Sequence, residues 1–145
     1  MSVDGASRRP AHRHSRARSW VLHLLYGWEM VGEGTLADYA ERSLAQRRIA
    51  PRYRDHVDRL ITLLDRELPA IDVTLERAMP NWRLERVAAI DRAALRIGTA
   101  ELTLVDEVPP KVAIHEAMRL VQKYGSDESP RFVNGVLDAI WQSTR

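Results

Sequence analysis

Between Leu84 and Val105 the apolar residues fall on two stripes of a helix instead of one. Leu84, Val87, Ala88, Leu95, Gly98 and Leu102 follow the first, and Ile90, Ala94, Ile97 and Val105 the second. A helix that is apolar most of the way round has to be covered on more than one side, so this run belongs at the centre of a bundle. The remaining sequence offers only helices to cover it, because no segment alternates with period two for long enough to make a strand.

Helical spacing and punctuation predict about seven helices. The first runs over 14–31, with Ala17, Val21, Leu24, Leu25, Trp28 and Val31 inward, and Gly32 and Gly34 stop it. Thr35 caps a second over 35–49. Pro51 opens a third, which Pro69 ends at 68, and a short fourth covers 71–79. After the break at Pro80-Asn81-Trp82 come the central run over 84–105 and helices over 111–124 and 129–141. Gly125 is placed as the cap of the sixth, and Ser129-Pro130 as the start of the last. The expected fold class is therefore all-α, a helical bundle. Residues 1–12, rich in Arg, Ser, Gly and Pro, read as a disordered basic arm, and 13–145 as a single all-helical domain.

Composition excludes more than it assigns. An apolar fraction of 45% with 29% charged residues suits a globular chain and not a disordered one. Without cysteine there are no disulfides and no thiolate metal sites. No apolar run reaches the roughly 18 residues that would span a bilayer, and no signal peptide is recognisable, so the expectation is a cytoplasmic protein without a membrane partner. The net charge of +2 is unevenly spread. Residues 1–18 hold five arginines against Asp4, a net +4, which leaves −2 for the rest and points to a polyanionic partner for the N-terminal end.

Catalysis finds no support. The five histidines, His12, His14, His23, His56 and His115, have no metal-ligand spacing, so no metal or cofactor is expected, and phosphate-cradling glycine motifs and nucleophile elbows are absent. Binding is better served. Arg16, Ser19, His23 and Tyr26 share the outer face of the first helix, continuing the basic arm. Arginines neutralise phosphates while an aromatic ring stacks on an unpaired base; the competing reading has Tyr26 packing beside Trp28. Two carboxylates stand on apolar stripes of the central run, Asp91 on the first and Glu101 on the second. Each needs a partner if buried. Glu101 reads as an ion pair with an arginine of a neighbouring helix, while Asp91 divides between a structural role and a partner-facing one.

The C-terminal third carries a resemblance. Val108-Pro109-Pro110-Lys111-Val112-Ala113-Ile114-His115-Glu116-Ala117, Lys123-Tyr124-Gly125 and Ser129-Pro130-Arg131-Phe132-Val133-Asn134-Gly135-Val136-Leu137-Asp138 resemble the NusB family of bacterial transcription antitermination factors. Ile90 to Gly98 with Glu101-Leu102, and Arg16-Ala17-Arg18 followed by Leu24-Leu25-Tyr26-Gly27-Trp28, are similar to it as well. The likeness covers about residues 13–141, although 32–80 agree only in helical pattern.

That resemblance implies two perpendicular three-helix bundles and no chemistry. It implies binding of single-stranded boxA RNA from ribosomal RNA leaders, jointly with the ribosomal protein NusE, within an RNA polymerase antitermination complex. By position it assigns Arg13, His14, Arg16, Arg18 and Tyr26 to the RNA, adds Glu128, Phe132 and Asn134, and puts Asp91 on the NusE side. Phe132 has a rival place in the core, and Asn134 a rival role capping a neighbouring helix. Gly135 reads as a site of close helix packing. Three alternatives stay open: the RNA-binding domain of a ribosomal RNA methyltransferase system, which would need a longer chain; a helical protein-interaction module that binds no RNA; and a homodimer that buries the RNA face.

Overall fold

The structure, a computed structural model, describes residues 14–144, so the arm of residues 1–12 and Arg13 lie outside the described residues. The described residues form six α-helices and one 3-10 turn: α1 Ser15–Val31, α2 Leu36–Ala45, α3 Pro51–Ala78, the turn Leu84–Arg86, α4 Ala89–Leu104, α5 Pro110–Tyr124 and α6 Ser129–Ser143.

Local chemistry accounts for the boundaries. Gly32 ends α1 in the left-handed region at φ 80°, its N–H donating to the Trp28 carbonyl. The Thr35 hydroxyl accepts from the Asp38 N–H at 3.1 Å and caps α2. Prolines stand in the first turns of α3, α5 and α6, where the missing N–H costs nothing.

Two expectations of the helix count are corrected. Pro69 does not end a helix: α3 continues through it to Ala78. Pro69 is on the exposed side, so its ring meets solvent and not the core, while Leu64, Ile71 and Leu75 carry the buried stripe across it at helical spacing. The central run is also shorter at its start. Leu84 and Val87 are buried, yet they belong to the 3-10 turn and to the extended residue after it, and α4 begins at Ala89.

Helices α1, α2 and α3 pack on one another, as do α4, α5 and α6, and α4 also lies against α1 and α3. This is the centrality its two stripes require. Its approach to α6 is so close that a Cβ on Gly98 would sit 2.7 Å from Leu137 Cδ1. Gly135 is a different case and corrects the packing expectation: it is exposed, with nothing within 4 Å of where a Cβ would be. Among the described residues no helix is long and apolar enough to cross a membrane.

A candidate nucleic-acid interface

The outer face of α1 forms one wall of an open cleft of about 520 Å³. Ser15, Arg16, Ser19, Trp20 and His23 line it from α1, Arg119, Lys123 and Tyr124 from α5, and Arg47 from the loop after α2. Cations alternate with rings. The Arg47 guanidinium lies 5.9 Å from the Trp20 ring centre, and Lys123 Nζ 5.3 Å from that of Tyr124. His23 meets Tyr124 edge-on at 4.9 Å and donates from Nδ1 to the Ser19 carbonyl at 2.7 Å. Among the described residues no carboxylate lines the cleft. Its charge therefore favours phosphates and its ring faces favour unpaired bases.

Beneath this wall lies a buried ionic network. Arg18 is 1% exposed and donates from Nε to both oxygens of Glu101, at 2.8 and 2.9 Å, and from Nη1 to Glu116 Oε1 at 2.9 Å. His56 Nε2 stands 3.2 Å from Glu101 Oε2. Glu116 also accepts from the Ser15 hydroxyl and, at 3.3 Å, from Arg119 Nε, while Arg119 Nη2 donates to the Ser15 carbonyl at 3.1 Å. The network thus fixes Arg119, a cleft residue, against the start of α1. Glu101 has found the neighbouring-helix arginine that its position demanded.

The structure gathers only part of the expected set. Arg16 and His23 line the cleft. Tyr26, 40% exposed, lies one turn beyond His23 on the same helix. His14 is half-buried, its ring stacked on His56 with centres 3.7 Å apart. Arg18 is corrected: the core holds it, and its guanidinium is spent on Glu101 and Glu116. Glu128, Phe132 and Asn134 do not line the cleft. Glu128 and Asn134 are exposed, whereas Phe132 is half-buried against the main core, its ring 5.7 Å from that of Trp82. Trp82 itself is 57% exposed.

Sequence reasoning did not single out Trp20, Arg47, Arg119, Lys123 and Tyr124, which the structure brings into the cleft. The positions of Arg119 and Lys123, four apart on α5, are a usable signal for one helix face. Arg47, in a loop, offers none.

Asp91 stands apart from the cleft, in the first turn of α4. It is 8% exposed, and its Oδ1 is buried with no hydrogen-bond partner among the described residues. Its neighbour Arg92 is engaged, donating to both oxygens of Glu29 and to the Leu84 and Val87 carbonyls. Among the described residues no three His, Asp or Glu side chains gather in a way that could hold a metal ion.

Residues 15–142 match the model of the NusB family. The transcription antitermination protein NusB of a Nitratiruptor species is 38% identical over 130 residues, covering 90% of this chain and 91% of its own. T. maritima NusB superposes with a TM-score of 0.79 at 31% identity, over 89% of this chain and 90% of that one. A chain in the crystal structure of antitermination factors NusB and NusE in complex with dsRNA gives a TM-score of 0.77 at 27% identity, over 91% and 98%. On sequence and fold together, the chain belongs to the NusB family.

Proposed function

We propose that this protein is a transcription antitermination factor that holds RNA in the cleft between α1 and α5 and engages NusE through the surface around Asp91. The observation that carries the RNA half is the cleft itself: Arg16, Arg47, Arg119 and Lys123 interleaved with Trp20, His23 and Tyr124, and no carboxylate among them. Four cations suit the backbone and the rings suit unpaired bases, so the substrate class is single-stranded RNA, here the boxA element of ribosomal RNA leaders. The structural relative from a complex of NusB and NusE with dsRNA supports a joint assembly with NusE and RNA. Function is coupled binding without chemistry: each ligand raises affinity for the other, and the pair joins the RNA polymerase antitermination complex in the cytoplasm.

The test is binding of a labelled boxA-type RNA across a salt series, with and without purified NusE. Four neutralised phosphates give a log–log slope of about −3 for a single strand. Tighter binding with NusE supports the adaptor. Absence of RNA binding in both conditions leaves a helical protein-interaction module, or a homodimer covering the cleft, and sizing separates those two.

A further inference from the structure

Next to the cleft is a second cationic and aromatic surface that the family comparison does not assign. The stretch from Gln46 to Arg54 contains Arg47, Arg48, Arg52 and Arg54 and no acidic residue. Arg54 is engaged by Asp58 at 3.0 Å. Arg52 has no carboxylate partner among the described residues; its guanidinium lies 4.8 Å from the Tyr53 ring centre. Arg16, the cleft residue on α1, approaches the same ring at 5.8 Å. Tyr53 packs its ring partly against the core, and Arg52 and Arg16 hold its hydroxyl below the usual tyrosine pKa. Arg52 and Tyr53 stand in the first turn of α3, whose N-cap, Ala50, offers no side-chain cap and whose first turn has no acidic residue. The positive end of a 28-residue helix therefore adds to the arginine charge.

Arg16 belongs to both surfaces, so they are continuous. Resting on the RNA-binding reading above, we propose that the RNA path extends out of the cleft over Arg16 onto the start of α3, where Tyr53 stacks a base and Arg52 takes the adjoining phosphate. An aromatic ring with guanidiniums near it suits a strand whose bases and phosphates alternate, and single-stranded RNA supplies that alternation.

The experiment uses RNAs of one sequence lengthened a nucleotide at a time, bound to the full chain with NusE present, for wild type, Arg52→Gln, Tyr53→Leu and Tyr53→Phe. The shortest RNA that fills the cleft should bind all four alike. Longer RNAs should gain affinity in wild type and in Tyr53→Phe, which keeps the ring. In Tyr53→Leu the gain should shrink by about fivefold or more, the size of one lost stacking contact. Arg52→Gln should flatten the salt slope of the longest RNA by about 0.7, one phosphate's share. Arg52 is exposed and outside any ion pair among the described residues, so Arg52→Gln should melt with wild type, and a melt run beside the titrations checks that the slope reads binding. Full length-dependent gain in both Tyr53→Leu and Arg52→Gln overturns the extended path, as does an equal loss for the shortest and longest RNAs. Failure of wild type to bind RNA of any length overturns the cleft reading as well.

Discussion

Arg18 of α1 and Glu101 of α4 are bound side to side in the core, Nε within 2.9 Å of both carboxylate oxygens, although 83 residues separate them in the chain. Each is only 1% exposed, and the same guanidinium reaches Glu116 on α5, so one arginine ties three helices together. Removing one partner of such a pair leaves charge stranded in the interior, and the cost exceeds anything an exposed pair contributes. Arg18→Gln is therefore expected to lower unfolding free energy by about 3–5 kcal/mol, measured by urea or thermal unfolding. An unchanged melt with weakened RNA binding would put Arg18 back on the surface.

Tyr26 and Phe132 should behave as opposites despite equal standing as aromatic candidates. Tyr26 is 40% exposed, so Tyr26→Ala should leave the melting curve in place and weaken RNA binding by about 1–3 kcal/mol if a base stacks there. Phe132 packs against the core and Trp82, so Phe132→Ala should cost about 3 kcal/mol of stability. Unfolding curves and RNA titrations of both variants, compared side by side, check the contrast.

The Arg18 correction shows what the sequence held and where it was misread. Two residues apart on a helix is a turn of about 200°, so Arg16 and Arg18 cannot both face outward. Arg18 lies three, four and seven positions before Val21, Leu22 and Leu25, all buried. That spacing already placed it with the core. The stripes of α4 were legible for the same reason: period 3.6 reports burial directly. Pro69 was not, because its effect depends on which side of α3 meets solvent, and that is fixed by tertiary packing. Nor was the cleft as a whole. It joins α1, α5 and a loop, and no local pattern records that Arg47 will stand over Trp20.

Asp91 combines burial with an oxygen that no donor among the described residues satisfies. An unmet buried acceptor costs about 1–3 kcal/mol, which a partner's N–H or cation would recover on docking. Asp91→Ala should leave the isolated chain as stable as wild type or slightly more so, while weakening NusE binding well beyond its effect on RNA binding alone. Calorimetric titration with NusE, set beside the melting temperature, separates the two effects. A large loss of stability with unchanged NusE affinity would make Asp91 a structural residue.

Glu29 gives the fold a defined acid sensitivity. Burial raises its pKa, but hydrogen bonds from Arg92 and the charges of Arg96 and Arg92 outweigh that, and the folded value falls below the usual 4.5. Arg96, further anchored by Asp72 at 2.9 Å, is held more firmly protonated than a free arginine and stays charged throughout. A carboxylate whose folded pKa is depressed contributes stability that is complete above the unfolded value and disappears as pH falls through the folded one. Wild type should therefore keep this contribution at neutral pH and lose it progressively below pH 4.5. Glu29→Gln should be less stable than wild type by about 2 kcal/mol at pH 7, the worth of hydrogen bonds to charged groups. The gap should then close on acidification. Urea unfolding of both proteins from pH 7 to pH 3 measures it, and a gap that stayed constant across that range would mean the Glu29 charge contributes nothing to the fold.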